Sequence, residues 1–358
     1  MDDAARSTPV FRIETAGRAS HAALTAAVLG LLGLLALPIF GGRILIQDLT
    51  FLFYMLALAQ CWNLLAGYAG LISVGQQTFV GLGGYLLFAF TLIGGLNPLF
   101  VIPIAGAICA LFALPTALIV FRLRGAYFAI GTWVVAEVYR LVFAQFKPLG
   151  GGTGTSLTPS ITSSVPGIEW VKGLLNVRTP VARDIISYWV ALALMAGTLV
   201  FVYLVLRSRR GLALGAIRDN EAAAAGLGVD IYRIKLAVYI ATAAMTGMVG
   251  ALIYLQKARI SPDAAFSVLD WTAYVIFIVV IGGIGTMEGP VIGAIIFYLM
   301  QRYLADFGAS YLILLGTLGI LVMLFAPKGL WGLAERYDLT LFPTRRRLLV
   351  DAKDSKRG

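Results

Sequence analysis

The apolar runs constrain this chain more than any other feature of its sequence. About ten runs of roughly 20 mostly apolar residues follow one another, and a run of that length lets an α-helix cross a bilayer. Hydrophobic residues make up 59% of the chain and charged residues only 13%, too few to cover a water-soluble protein. We therefore predict an all-α integral membrane protein. The predicted spans are 22–40, 44–66, 78–94, 99–121, 126–146, 185–206, 236–256, 269–285, 291–306 and 311–326.

The distribution of positive charge predicts an orientation. The chain has 28 Lys and Arg against 18 Asp and Glu, a net charge of +10. If the N-terminus is cytoplasmic, 19 of the cations fall in cytoplasmic segments and seven in outward segments, as expected from the excess of Lys and Arg in cytoplasmic loops. This bias predicts an even number of crossings, with cytoplasmic tails at 1–21 and 327–358 around a transmembrane domain at 22–326. It also explains the basic charge without a nucleic-acid partner.

The longest predicted outward segment is 147–184, which is rich in Gly, Ser, Thr and Pro. A loop of this length on the outer face is a plausible docking surface. The alternative is a passive linker between two halves of five helices each. With an odd number of spans per half, the halves would have opposite orientations, as in transporters built from inverted repeats.

Two segments rich in glycine, 67–77 and 282–293, interrupt the apolar pattern. Their composition favours broken helices or re-entrant turns, which are tolerated at membrane depth only where protein or water satisfies the backbone. The alternative is that the glycines only allow helices to pack closely. Both segments lie on the predicted cytoplasmic side, so we expect them to flank one inner gate. The candidate residues of a translocation path or gate are Gly70, Ser73, Gly75, Gln76, Gln77, Gly282, Gly283 and Gly285.

Charged residues inside the predicted spans are few, and each is a functional candidate. Glu137 and Arg140 stand three positions apart on one helical face. This spacing favours an intramembrane ion pair that keeps both side chains neutralised, and a direct contact with a transported solute is the alternative. Arg302 and Asp306 repeat the arrangement at a spacing of four.

Several kinds of chemistry have no residues to support them. No Gly-Lys dipeptide occurs, so the phosphate-binding loop of an ATPase is missing. With one histidine, and with Cys61 and Cys109 inside apolar runs, the sequence offers no metal cluster and no catalytic constellation. We predict that the chain is not an enzyme and binds no metal or cofactor. Active transport would need an ion gradient or another subunit.

The predicted cytoplasmic loop 207–235 carries the most specific pattern. Asp219 or Asn220 can cap a helix, the glutamate that follows places a carboxylate at its positive end, the alanines at 222–225 extend it, and Gly228 can end it. The pattern predicts a short helix between two spans. A plain amphipathic connector is the alternative.

This loop resembles the coupling loop of bacterial ABC importer permeases, in the form found in branched-chain amino acid permeases of the LivM type. In that family the short helix docks into a groove of a cytoplasmic ATPase. Gly226 and Gly228 stand three and five positions after Ala223, whereas the general motif places a glycine four positions after the second alanine. The residues that the resemblance assigns to coupling are Arg218, Asp219, Asn220, Glu221, Ala222, Ala223, Ala224 and Gly228.

Further stretches between residues 44 and 330 agree with the resemblance. Residues 70–75 match the Gly-Leu-x-Ser-x-Gly stretch of the family, although Gln76 and Gln77 stand where many members have a histidine nearby. The other matching stretches are 124–130 with Thr132, Glu137 and Arg140, and then Ser261, Pro262, Phe266 and 282–293.

The resemblance implies a multi-pass permease subunit of an ABC importer in a bacterial inner membrane. Its expected partners are a second related permease, two cytoplasmic ATPase subunits that bind ATP and Mg, and a periplasmic substrate-binding protein. The expected substrates are leucine, isoleucine and valine, or a related small amino acid, amide or urea. The alternative is an ion-coupled secondary transporter, which predicts activity from this chain alone.

Overall fold

Helices account for most of the computed structural model, which describes residues 11–14, 18–304, 307–335 and 347–350. The α-helices are α1 (Arg18–Ala36), α2 (Arg43–Asn63), α3 (Gln77–Phe88), α4 (Pro98–Val120), α5 (Ala126–Gln145), α6 (Pro159–Ser163), α7 (Ile168–Leu175), α8 (Thr179–Arg207), α9 (Arg209–Asp219), α10 (Glu221–Gly226), α11 (Ile231–Lys257), α12 (Pro262–Ala265), α13 (Tyr274–Gly282), α14 (Gly289–Leu304), α15 (Ala309–Phe325) and α16 (Gly329–Glu335). Three π-helical turns interrupt or extend them, at Leu64–Tyr68, Ala89–Ile93 and Leu269–Ala273.

Two short antiparallel strand pairs accompany the helices. Strand β1 (Phe11–Glu14) pairs with β4 (Arg347–Val350), and β2 (Thr155–Ser156) pairs with β3 (Arg259–Ile260). The first pair joins the two terminal tails, of which the structure describes only parts. The second pair joins the outward loop to the turn after α11.

The chain is an all-α membrane protein, as the sequence predicts. Seven helical segments of the described residues have the length and apolar composition to cross a bilayer, and the apolar helices Thr25–Ile39 and Gln77–Ile93 are shorter. Helix α14 has 16 residues. The expected count of about ten spans is therefore not confirmed. The third run is helical almost throughout, but the helix Gln77–Ile93 is shorter than the 18 residues required of the seven. The seven are Arg43–Tyr68, Pro98–Val120, Ala126–Gln145, Thr179–Arg207, Ile231–Lys257, Pro262–Gly282 and Leu312–Leu333.

Helices α2 and α11 form the centre of the molecule, and α5 lies at its surface. Helix α11 packs between α3 and α4, and α2 packs against α8, α13 and α14. Small residues allow the backbones to approach: a Cβ on Gly83 would lie 2.0 Å from the carbonyl oxygen of Gly247. Close contact between small residues is how helices associate when no hydrophobic effect drives them together.

The packing is reciprocal between the two halves of the chain. Helix α3 lies against α11 of the second half, and α13 lies against α2 of the first. The following helices repeat the pattern, since α4 contacts α3 and α11 while α14 contacts α13 and α2. This correspondence supports the expected construction from two related halves.

The outward segment 147–184 is folded and packed onto the helices. It contains β2, α6 and α7, and several of its apolar side chains, including Leu157 and Ile168, are buried in the main core. At its end the buried carboxylate of Asp184 accepts hydrogen bonds from Arg43 Nε at 2.7 Å and Gln47 Nε2 at 2.8 Å. The outward segment is therefore fixed to the membrane helices, and its role as a docking surface or a linker stays a prediction.

Candidate functional site

The short helix predicted in the loop 207–235 is present as α10, and the loop also contains α9. Asn220 caps α10, because its side-chain oxygen accepts a hydrogen bond from the N–H of Ala223 at 3.0 Å. Asp219, the other candidate cap, is the last residue of α9. Gly228 follows the helix with φ +81°, and the N–H of Val229 bonds back to the carbonyl oxygen of Ala224 at 3.2 Å, as in a Schellman termination.

Helix α10 presents an open surface of small side chains. Ala222, Ala223 and Ala225 are exposed, while Ala224 is buried against the rest of the chain. Leu227 follows the helix with 81% of its surface exposed, an apolar side chain that sequence reasoning did not select. The surface suits a second protein that packs closely against it.

Glu221 anchors the helix to the next span. Its Oε2 lies 2.9 Å from Nζ of Lys235, near the start of α11, and the lysine side chain is 14% exposed. The pair joins α10 to α11, which packs against α3 and α4. The sequence showed both residues but not their contact, because they lie on different elements.

Arg218 connects the same loop to the two glycine-rich segments. A Cβ on Gly285 would lie 2.9 Å from Arg218 Nη1, so the guanidinium lies against this backbone. Beyond it, a Cβ on Gly67 would lie 2.6 Å from the backbone nitrogen of Gly285. Gly285 needs to be a glycine both for this approach and for its φ of +74°. The two segments therefore meet each other next to Arg218 of the loop 207–235.

The first glycine-rich segment breaks the helical path. After the π turn that ends at Tyr68, the chain turns at Gly70 and runs back along α2 without helical structure. Trp62 Nε1 donates to the carbonyl oxygen of Ser73 at 2.8 Å, and Gln76 Nε2 donates to that of Leu58 at 2.9 Å. Leu58 precedes Tyr68 by ten residues, about 15 Å of helix. Helix α3 therefore begins well inside the membrane.

The extended segment is satisfied from a neighbouring helix. The N–H of Val74 donates to Thr132 Oγ1 of α5 at 3.0 Å. Gly75 approaches the same residue so closely that a Cβ would lie 2.3 Å from the carbonyl oxygen of Thr132. This contact explains how irregular backbone is tolerated at this depth.

Gln77, the first residue of α3, meets the π turn that opens the eighth predicted span. Its N–H donates to Thr272 Oγ1 at 3.3 Å, and the Thr272 hydroxyl donates to its side-chain oxygen. Both residues are fully buried. The atoms Gln77 Nε2, Gln76 Oε1 and Gln60 Oε1 are buried without a hydrogen-bond partner. Unpaired buried amide groups are costly and are candidates to contact a polar solute.

The second glycine-rich segment is held by amides of α2. Asn63 Nδ2 donates to the carbonyl oxygen of Thr286, and Asn63 Oδ1 accepts from the N–H of Gly285, both at 2.8 Å. Gln60 Nε2 donates to the carbonyl oxygen of Met287 at 2.7 Å. Gln60 and Asn63 were not selected from the sequence, although two amides three positions apart in an apolar run were a visible signal.

The glycines of the two segments serve different purposes: some allow close helix packing, and others allow the turns. At Gly282 the packing explanation fits, because a Cβ would lie 1.8 Å from the carbonyl oxygen of Gly289 in α14. Gly70 and Gly283 have positive φ angles of 69° and 135°, so they serve the turns themselves. The role of these residues in a gate stays a prediction.

Glu137 and Arg140 form an ion pair on the surface of α5. Arg140 Nε donates to both carboxylate oxygens at 2.9 Å, and Nη2 lies 2.5 Å from Oε1. Arg140 Nη1 also donates to Asp263 Oδ1 of α12 at 2.6 Å, a partner that sequence spacing did not reveal. We call Glu137, Arg140 and Asp263 the charged triad.

Arg302 contacts a residue of another helix, and the expected pairing with Asp306 stays a prediction. Arg302 Nη1 lies 2.9 Å from Asp48 Oδ2 of α2, and the hydroxyl of Tyr298 donates to the same oxygen at 3.2 Å. Asp306 lies outside the described residues. The contact fixes α14 to the start of α2.

Comparison with known proteins shows the family. The model of the family described as "Branched-chain amino acid transport system / permease component" matches residues 44–326, which is most of the chain. The chain belongs to this family. The match confirms the resemblance drawn from the loop 207–235, and the apolar helices agree with a multi-pass transport permease.

Individual relatives agree. The chain is 30% identical over 300 residues to the high-affinity branched-chain amino acid transport system permease protein LivM of Escherichia coli, covering 81% of this chain and 70% of the relative. It is 29% identical over 157 residues to the permease protein BraD of Pseudomonas aeruginosa, covering 42% and 48%. A probable LivM of Methanocaldococcus jannaschii is 26% identical over 237 residues, covering 62% and 63%. No solved structure matches the chain.

Proposed function

We propose that the chain is the permease subunit of an ABC importer that moves branched-chain amino acids, or a related small amino acid, amide or urea, into the cytoplasm. ATP hydrolysis on two partner ATPases drives the transport. A second related permease and an external binding protein complete the complex. The observation that carries the proposal is the contact chain from α10 through Arg218 to the junction of Gly67 and Gly285.

This contact chain has the properties that coupling needs. Helix α10 is exposed and capped at both ends, so it can contact a partner without unfolding. The Glu221–Lys235 pair and Arg218 give it two separate connections to the membrane helices. A push on α10 would therefore move α11 and the glycine-rich segments together.

The orientation follows from the charge bias and from the terminal strands. Pairing of β1 with β4 supports the placement of both tails on one side of the membrane, and the 19-to-7 distribution of cations favours the cytoplasm for that side. The outward loop then faces the compartment of the binding protein. Single cysteines at positions 152 and 220, with Cys61 and Cys109 replaced, test this. An impermeant thiol reagent should label position 152 in intact cells and not position 220.

Reconstitution separates this function from an ion-coupled transporter. Proteoliposomes with the whole complex should take up L-leucine from its binding protein only when ATP reaches the ATPases. Proteoliposomes that contain this chain alone should show no uptake under a proton or sodium gradient. Gradient-driven uptake by the single chain would contradict the proposal.

A further inference from the structure

The charged triad lies at a depth where contact with lipid is unfavourable. Glu137 is the twelfth of 20 residues in α5, about 16 Å from the start of the helix at 1.5 Å per residue. Its side chain is 46% exposed and that of Arg140 28% exposed. Charged groups at this depth face water or protein because contact with hydrocarbon is unfavourable. This side of α5 therefore lines a water-filled space or meets another polar surface.

The triad carries an excess negative charge. Arg140 supplies one positive charge to two carboxylates, and Asp263 is 79% exposed. The guanidinium bridges α5 and α12, elements that are 123 residues apart in the chain. The arrangement offers one cation and two anions within reach of a single small ligand.

A buried hydroxyl independently indicates a ligand at this place. The side chain of Tyr85 is fully buried, and its hydroxyl has no hydrogen-bond partner. The Tyr85 ring stacks on Phe143, with centroids 4.4 Å apart, and on Phe266, with centroids 6.0 Å apart. These two rings follow Arg140 and Asp263 by three residues, one helical turn.

The location fits an entry site. Arg140 lies five residues before the end of α5 at Gln145, about 7.5 Å from that end. The outward loop begins there, and its strand β2 pairs with β3 just before α12. Under the proposed orientation, this is the end of the membrane helices that a solute reaches first after it leaves the binding protein.

We propose that the charged triad and the Tyr85 hydroxyl receive the ammonium and carboxylate groups of an α-amino acid as it enters the membrane. This inference rests on the proposed function. The guanidinium of Arg140 can bind the carboxylate through two parallel hydrogen bonds, while Glu137 and Asp263 accept from the ammonium group. A zwitterion adds one positive and one negative charge, so its binding leaves the excess charge of the site unchanged while the ion pairs exchange partners. Tyr85 supplies the hydrogen bond that its hydroxyl lacks.

The test uses the complete complex in proteoliposomes with its binding protein loaded with radiolabelled L-leucine. Leucine uptake and ATP hydrolysis are measured together. Arg140→Gln should lower the leucine moved per ATP at least about tenfold, because bonds between charged groups are strong. Asp263→Asn and Tyr85→Phe should lower it about threefold. Tyr85→Phe preserves the ring and the triad, so it remains informative if Arg140→Gln assembles poorly.

A hydroxyl outside the triad provides the control. Thr317 of α15 donates to the carbonyl oxygen of Ile313 in its own helix at 2.8 Å. Thr317→Val should leave leucine moved per ATP unchanged. In all these variants the concentration of binding protein that half-saturates ATP hydrolysis should stay at the wild-type value, since docking is not altered.

Three results would overturn the inference. The first is a wild-type ratio of leucine to ATP in Tyr85→Phe and Asp263→Asn. The second is that the purified variants partly lose the second permease, whereas the complexes that keep it transport normally. This result would assign the triad to a contact between subunits. The third is a wild-type complex that moves only urea or an amide, which has no charged head group. That last result would still agree with the proposed function as an ABC permease. Uptake without ATP would instead contradict the proposed function itself.

Discussion

In the first glycine-rich segment, 67–77, residues 69–76 run through the membrane interior without helical structure, and Gln76 and Gln77 have unpaired side-chain atoms. In the second segment, 282–293, glycines allow α13 to pack closely against α14. Both polar atoms of the Asn63 side chain form hydrogen bonds with the turn. Similar composition therefore supports two different roles. We expect the first segment to present polar groups to a solute, whereas the second holds helices together. The following substitutions test this difference.

The largest effect is expected where the second segment packs most tightly. Gly282→Val adds a Cβ 1.8 Å from the carbonyl oxygen of Gly289, which forces the two helices apart. Overpacking of this degree should cost about 3 kcal/mol or more and leave little folded protein in detergent. Gly197→Val is the control, because nothing lies within 4 Å of that position. Equal melting temperatures for the two variants would contradict the packing role.

Removal of the Asn63 amide should have the next largest effect. Asn63→Leu leaves the Gly285 N–H and the Thr286 carbonyl without their partner, and two such losses should cost about 2–5 kcal/mol. The free energy of unfolding in mixed micelles measures this. Thr50→Val on the same helix removes only a bond to its own helix and should cost less than about 1 kcal/mol. Equal free energies of unfolding for the two variants would show that the turn does not depend on α2.

The glutamines of the first segment should affect transport more than stability. Gln77→Leu removes the bond with Thr272 and also an unpaired buried donor, so the two effects on stability should offset each other to within about 1 kcal/mol. Leucine uptake by the complex should fall about tenfold if the amide contacts the solute. Unchanged uptake together with lower stability would give this segment the same structural role as the second.

The smallest effect is expected in the coupling loop at Gly228. With φ at +81°, Gly228→Val is strained by about 1 kcal/mol, which should weaken binding of the partner ATPase roughly fivefold. Gly197→Val in α8 is the control, since no atom lies within 4 Å of that position and it is outside the loop 207–235. Binding of the purified ATPase to the permease in nanodiscs measures both. Equal affinities would mean that the helix end is not recognised.

The sequence predicted what depends on local pattern. The apolar runs predicted the helices, and the order Asn220, alanines, Gly228 predicted α10 with its cap and its termination. Family motifs in the same residues led to the correct family. The irregular path of 69–76 was indicated by glycine density, although density alone did not separate turns from close packing.

The contacts between distant elements were not predictable. Asn63 pairs with residues more than 220 positions away, and Arg140 with Asp263 at a separation of 123. No periodicity in one sequence encodes such pairs. Arg302 shows the same limit, because Asp48, its partner in the structure, lies on another helix.

The central claim is that Arg218 carries the motion of the coupling loop to the junction of Gly67 and Gly285. The most direct test measures ATP hydrolysed per molecule of L-leucine taken up by the reconstituted complex with Arg218→Gln. Arg233→Gln serves as the control, because Arg233 is 84% exposed and pairs only with the nearby Asp230 among the described contacts. We expect Arg218→Gln to keep ATP hydrolysis and to lower uptake per ATP at least about fivefold, with Arg233→Gln unchanged. A wild-type ratio in Arg218→Gln would contradict the account.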